Sequence, residues 1–393
     1  MELYVLDRLL RRETVVDKFE SLIWTERFNS AGEFELVIPS TPNYRNLFTP
    51  ETWLALNESF RCMMVDTVQD TTDEDGKRML TVKGPSVELP LMDNRVAFNW
   101  KDDLTTHPKW TITDQPADVA RKVFHDICVT GVLDTDDIIP YITAVAVLPA
   151  DTIAEPTDTV TVDIEPDTVY NVVKAICEPY DLGFRIVRNY DLSQLAFDIY
   201  TGRDHTSQQT TLPLVVFSKE LNNIKSSTRL ETTAGAKNVA YVYSNLGFEE
   251  VVAQDVDPSI SGFERKVLVV KVDDFDAGTP AGTVTAIMQQ KGKEELAKYR
   301  KFLGFDGEVA QQSQYKYGVD YQLGDLVEQH GDDGDSSIVR VTEQIFSSDS
   351  EGDRSYPTLS ILKNITAGSW TEQGTQVWGD YADDLTTYWS DLP

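Results

Sequence analysis

Along the first hundred residues apolar positions recur at every second place, in short runs cut by turn-forming residues, and that period predicts β-strands. The runs are 2–7 (ELYVLD), 14–19 (TVVDKF), 21–28 (SLIWTERF), 33–38 (EFELVI), 53–57 (WLALN), 61–69 (RCMMVDTVQ) and 78–84 (RMLTVKG). Asn29-Ser30-Ala31-Gly32 and Asp73-Glu74-Asp75-Gly76 supply hairpin turns, because Asn, Asp and Gly tolerate left-handed backbone. Spacing this regular predicts a small antiparallel barrel or sandwich.

Between about 105 and 205 the period changes to that of a helix. In 116–128 (PADVARKVFHDIC), Val119, Ala120, Val123, Phe124 and Ile127 share one face, with Pro116 in the first turn and Asp114 as a nearby cap. In 167–178 (DTVYNVVKAICE), Val169, Val172, Val173, Ile176 and Cys177 repeat the pattern behind Pro166-Asp167. Strands 184–188 (FRIVR) and 195–200 (LAFDIY), joined through Asn189-Tyr190-Asp191, form a hairpin against these helices. The Thr, Asp and Pro of 149–168 predict an extended surface crossing.

Strand patterning resumes at 214–218, 223–230, 238–243 and 266–272. A long helix is expected at 280–303, where Val284, Ile287 and Met288 precede Gly292, and Leu296, Tyr299 and Leu303 follow; the glycine is expected to bend or weaken it. Strands return at 307–317, 323–329, 337–347 and 356–363. The fold class is therefore mainly β with an α+β insertion, in four parts: 1–104 strand-rich, 105–212 α+β, 213–365 strand-rich with an interrupting helix, and a tail. That tail, 366–393, carries Trp370, Trp378, Tyr381, Tyr388 and Trp389 among acids. Large rings in a polar terminal segment suggest docking onto another surface, or an arm folded back on its own domain.

Composition narrows the function classes. Apolar residues at 41% and charged residues at 25% are globular values, and no apolar run is long enough to cross a bilayer, which predicts a soluble chain without membrane anchoring. The opening MELYVLDRLLRRE lacks the order of a signal peptide. A net charge of −30 argues against gripping a phosphate backbone on the outer surface.

Chemistry-bearing motifs are scarce. Cys62, Cys128 and Cys177 are widely separated in apolar runs and predict buried free thiols. His107, His125, His205 and His330 share no metal-ligand spacing, and the usual phosphate-loop, dinucleotide and hydrolase-elbow signatures are missing. Acidic clusters at 73–76, 134–137 and 331–335 could hold calcium or be solvated hairpin tips; none fits the EF-hand loop, and Asp332, Asp333 and Asp335 are the calcium candidates. Glycosidase chemistry needs two suitably spaced carboxylates, and nothing marks a pair among the 65 acids. No cofactor and no catalytic residue is nominated.

Several runs together carry a resemblance. Leu6-Asp7-Arg8, Val16-Asp17, Ser21-Leu22-Ile23-Trp24-Thr25-Glu26-Arg27-Phe28-Asn29, Ala31-Gly32-Glu33-Phe34-Glu35-Leu36-Val37-Ile38-Pro39 and Leu80-Thr81-Val82-Lys83-Gly84-Pro85-Ser86 resemble the opening of a siphophage minor tail protein family of actinophage type. Tyr321-Gln322-Leu323-Gly324-Asp325-Leu326-Val327 and Val339-Arg340-Val341-Thr342-Glu343 look like a later element of the same proteins, so the similarity spans about residues 3–363. The resemblance implies a trimeric baseplate or tail-tip hub. Each subunit would carry two tube-like antiparallel β-barrel domains, residues 1–104 and 213–365, with the α+β unit outside them. It also implies a place in the virion tail tip after synthesis in the host cytoplasm. The implied neighbours are distal tail or tail tube proteins, the tape measure protein and fibre or other minor tail proteins, with DNA as passing cargo. With a lumen of this kind, the acidic excess would keep that DNA from sticking, or it serves solubility alone. Interface candidates are Trp24, Arg27, Phe28, Trp370, Trp378, Tyr381 and Trp389; core packing is the alternative for Trp24 and Phe28. Two other readings are a host-glycan-binding tail protein and one that cleaves cell-wall sugars.

Overall fold

The structure, a computed structural model, describes residues 1–72, 76–98, 109–143, 151–189, 194–253, 256–272, 274–299, 302–309, 315–330 and 336–361. The Asp73–Asp75 part of one expected turn, the 190–191 part of another, Asp332, Asp333, Asp335 and the whole of 366–393 lie outside these residues. The fold is mainly β, with 42% strand and 20% helix.

In chain order the elements are β1 (Leu3–Leu6), β2 (Arg12–Val16), β3 (Ser21–Arg27), β4 (Glu33–Pro39), α1 (Pro42–Leu47), β5 (Trp53–Leu56), β6 (Cys62–Met64), β7 (Thr67–Thr72), β8 (Arg78–Pro85), α2 (Glu88–Asp93) and β9 (Val96–Ala97). Then follow β10 (Trp110–Asp114), α3 (Pro116–Phe124, continued by a π turn to Val129), β11 (Ile142–Thr143), β12 (Val160–Ile164), β13 (Asp167–Thr168), α4 (Val169–Cys177), β14 (Gly183–Asn189) and β15 (Gln194–Tyr200). The remainder is β16 (Val216–Ser218), β17 (Ile224–Thr232), β18 (Val239–Ser244), β19 (Gly247–Val252), β20 (Val267–Lys271), α5 (Ala281–Lys298), β21 (Phe302–Val309), β22 (Leu326–His330), β23 (Ser336–Asp349) and β24 (Gly352–Ile361).

The chain divides into two compact units, one of Met1–Thr232 with Leu303–Ile361 and one containing Thr233–Phe302. In the first, a ten-stranded sheet runs β17-β21-β24-β23-β3-β4-β8-β7, with β22 and β16 branching from β23. Sequence-distant strands meet inside this sheet: β3 pairs antiparallel with β23, placing Trp24 opposite Phe346. Alternation explains the fit. Leu22 and Trp24 of β3, Phe34, Leu36 and Ile38 of β4, and Leu80 and Val82 of β8 all enter one core with Phe346, and each is almost fully buried. Burying side chains of this size stabilises by roughly 1.5–3 kcal/mol each. The strand expected at 61–69 is two. It breaks at Val65-Asp66 because β6 belongs to the sheet β2-β1-β5-β6 while β7 closes the edge of the large one.

The insertion follows its sequence pattern closely. Val119, Ala120, Val123 and Phe124 of α3 and Val169, Val173 and Cys177 of α4 form one core against the hairpin β14–β15, and Phe124 stacks on Phe197 with ring centroids 3.8 Å apart. Thr168, rather than a residue before it, caps α4 by accepting from the Asn171 amide. Gln115 precedes α3 without a side-chain cap. Part of the expected surface crossing is a strand, since β12 pairs antiparallel with β10.

The second unit is a three-stranded sheet, β19-β18-β20, under α5. Val242, Val251 and Val270 face Val284, Met288 and Leu296. Gly292 neither ends nor divides α5, which runs unbroken from Ala281 to Lys298. A Cβ there would stand 2.6 Å from Val251 Cγ2 and 2.9 Å from Val242 Cγ2, so the glycine lets helix and sheet approach closely. The helix stops five residues short of Leu303, which belongs to β21. No described helix is long and apolar enough to cross a membrane.

Candidate functional site

Glu26, from the Ser21–Asn29 run, meets sequence-distant residues of the first unit in a buried ionic junction. Glu26, near the end of β3, accepts from Trp24 Nε1 at 3.2 Å, from Tyr317 Oη at 3.0 Å and from Ser59 Oγ. Arg61 stands 4.0 Å from Glu26 and 3.5 Å from Glu88, and its Nη2 donates to Tyr200 Oη at 3.1 Å. Glu88 in turn accepts from the Ile186 amide at 2.8 Å. One cation thus joins the first strands, α2, β15 and the 315–322 turn. Burial works against its charge, but Tyr200, Glu88 and Glu26 more than offset that and raise its pKa above the ordinary arginine value.

A second knot lies at Gly324-Asp325. Gly324 adopts φ +89°, and a Cβ there would sit 2.7 Å from the Phe28 ring; only glycine fits this backbone so close to that ring. Asp325, nearly fully buried, accepts from the amides of Gln322 and Arg203, each at 2.8 Å, and pairs with the Arg203 guanidinium at 2.8 Å. His205 Nε2 stands 3.4 Å from the same carboxylate. Arg340, between core residues Val339 and Val341, donates to the carbonyls of Thr201 (2.5 Å) and Gly324 (2.6 Å) and lies 5.0 Å from the Phe28 ring centroid.

These contacts place the sequence-nominated residues. Trp24, at 0% exposure, and Phe28, at 3%, pack inside the chain, Phe28 edge-on to Tyr200. Arg27 keeps partial exposure but is engaged by Glu343 at 2.8 Å, Glu33 at 2.6 Å and the Ala31 carbonyl. Gly32 serves close approach, since a Cβ would lie 2.1 Å from the Thr25 carbonyl oxygen. The signatures therefore hold β3 to β23 and to the insertion. Arg61, Glu88 and Arg340 were not nominated, although a lone arginine beside Cys62-Met63-Met64 or between two valines is itself a sign of a buried ion.

Chemistry remains sparse. The cysteines are free and buried, and burial raises the thiols of Cys62 and Cys128 to about 12. Among the described residues no group of His, Cys, Asp or Glu is arranged to hold a metal ion. An open cleft of about 590 Å³, lined by Phe60, Tyr315, Tyr317, Val319 and Phe346, also contains Glu58 and Asp353. The carboxyl of Asp353 is partly desolvated, but Ser348 and the N-terminal ammonium hold it below the usual carboxylate range, the opposite of what a general acid needs.

Among the described residues, two surfaces lack a covering element and contrast with this interior. β7 ends the ten-stranded sheet, with Thr67 and Gln69–Thr72 exposed and only Val68 half-buried. On the sheet of the second unit, the face away from α5 presents Tyr241, Tyr243, Phe248 and Val269.

Comparison with known proteins bears on this geometry. A family model described as Siphovirus ReqiPepy6 Gp37-like protein matches residues 2–358. No curated protein sequence matches the chain. Among solved structures, the tail protein from Neisseria meningitidis MC58 superposes with a TM-score of 0.58 at 14% identity, covering 93% of this chain and 98% of that one. The prophage tail protein gp18 from Listeria monocytogenes EGD-e gives 0.51 at 13% identity, covering 95% and 100%. The 43 kDa tail protein of prophage MuSo2 from Shewanella oneidensis gives 0.51 at 12%, covering 92% and 98%. Identities this low show a shared fold.

Proposed function

Because the chain belongs to the Siphovirus ReqiPepy6 Gp37-like family of phage tail proteins, we propose that it acts as a ring-forming hub subunit at the tail tip, with no catalytic role. The observation that carries this reading is the free edge of the large sheet. β7 pairs only with β8 among the described strands, so among these its outer N–H and C=O groups have no strand partner and form a template for another chain. A ring closes when each copy presents such an edge to a complementary surface on the next. The residues of β7, three threonines with Gln69 and Asp70 around a single Val68, carry no apolar stripe, so the strand is suited to pairing by backbone rather than to burial beneath a partner.

In this reading three copies close the ring, and residues 1–104 and 213–365 act as its two tube-like barrels. The 105–212 insertion lies outside. Distal tail or tube proteins, the tape measure protein and fibre proteins adjoin the ring, and DNA passes through it. A share of the −30 charge per chain facing the lumen repels the DNA backbone during ejection. Mass photometry of the purified 44.2 kDa chain is expected to show trimers, and microscopy of intact tails to place them at the tip. A chain that stays monomeric at high concentration and is found elsewhere in the virion defeats the reading.

A further inference from the structure

The sheet β19-β18-β20 has two unlike faces. Val242, Val251 and Val270 lie beneath α5. The alternate positions point away, and register sets them in rows: Tyr243 lies between Phe248 and Lys271, and Tyr241 between Glu250 and Val269. Phe248 is 58% exposed and Val269 66%, and Tyr241 and Phe248 have ring centroids 5.2 Å apart. Phe263, in the loop before β20, is fully exposed. A sheet with one face in water normally carries polar side chains there. An outward cluster of rings on a two-layer unit marks a contact surface.

Charge identifies the occupant. The chain is strongly acidic, yet this face carries two cations against one acid: Arg265 is held by Glu250 at 2.6 Å and donates to Tyr241 Oη at 2.8 Å, and Lys271 remains beside Tyr243. Segment 366–393 has the complementary composition. It holds five acids (Glu372, Asp380, Asp383, Asp384, Asp391) and no Lys or Arg, with Trp370, Trp378 and Trp389 spaced among them. Three strands at about 4.8 Å spacing make a face roughly 15 Å wide, which 28 residues cross with chain to spare. We propose that residues 366–393 of this chain cover the outward face of β19-β18-β20, seating tryptophans on Tyr243, Phe248 and Val269 and their acids beside Lys271. This inference stands apart from ring formation, since it concerns a different unit and a different surface.

Hydrogen exchange followed by mass spectrometry on the full chain tests it. Deleting 366–393 is expected to speed exchange in 247–252 and 267–271 about tenfold and to leave the ten-stranded sheet unchanged. Trp370→Ser, Trp378→Ser and Trp389→Ser together in the full-length chain should reproduce the effect without truncation, and Lys271→Glu should give part of it. Exchange in these strands that is the same with and without the segment overturns the proposal. So does a face assigned to a second copy, which would show as Phe248→Glu lowering the oligomer mass while the deletion leaves exchange unaltered. A face that gains protection only in assembled tails belongs to another tail protein, and that result also overturns it.

Discussion

The two units treat the same residue types in opposite ways. In the first, Trp24, Phe28 and Tyr200 are sealed inside, and charged groups such as Arg61, Glu88 and Asp325 are buried with them. In the second, the core is aliphatic, built from valines, Met288 and Leu296, and the rings of Tyr243 and Phe248 stand outside. A buried ion adds little net stability, because desolvation consumes most of what pairing returns, but it makes misalignment expensive. The first unit joins distant parts of the chain and benefits from that selectivity. In the second, a helix laid on a local sheet needs only shape, and its surface is left free for contact.

The strongest test of this difference is Arg61→Met. It strands Glu26 and Glu88 in the interior and should cost about 3–5 kcal/mol, as expected when one member of a buried pair is lost. Adding Glu26→Gln and Glu88→Gln should recover much of that loss. Denaturant melts of the single and triple variants read both effects, and a single variant that unfolds like the parent would mean that the junction is dispensable.

The second unit should answer to volume instead of charge. Gly292→Val forces methyl groups into Val242 and Val251 and should cost about 1–3 kcal/mol by overpacking. The loss is expected within 239–298 alone, with exchange in β3 and β23 unchanged. If β3 and β23 loosen equally, the two units do not unfold separately and the comparison fails.

How much of this could be read from the sequence depended on whether the signal was local. The alternation in 21–28 and 33–38 marked β3 and β4, and the helical period marked α3 and α4, because each element buries one face of its own. Short α1 and α2 do not complete two turns, so no period could show them. β19, Gly247–Val252, buries only Val251 and turns Phe248 outward, so its sequence carries no alternating signal and the bare face stays hidden with it. The pairing of β3 with β23 joins residues about 320 positions apart, and the contacts of Arg61 reach across as many as 139. Nothing in a single strand's pattern encodes such a partner. Gly292 and Gly32 were read through backbone freedom when their role is closeness, a property of the neighbour and not of the glycine.

The smallest expected effect belongs to His205, and it asks whether the ions of the first unit are tuned or merely tolerated. Burial disfavours its imidazolium, but Asp325 and the Pro213 carbonyl more than offset that, with Arg203 opposing, so its pKa is raised above 6.5. A raised folded-state value means that protonated His205 contributes its full stabilisation below the unfolded value and loses it as pH rises through the folded one. Thermal stability should therefore decline gently above pH 6.5, and His205→Gln should flatten that slope while leaving the Arg203–Asp325 pair in place. The second unit has no histidine, so its own local opening, followed by exchange in β18, should show no matching change across the same range. Equal slopes for parent and variant would show that Asp325 is fully served by Arg203 and the two backbone amides, and that the histidine is a packing residue.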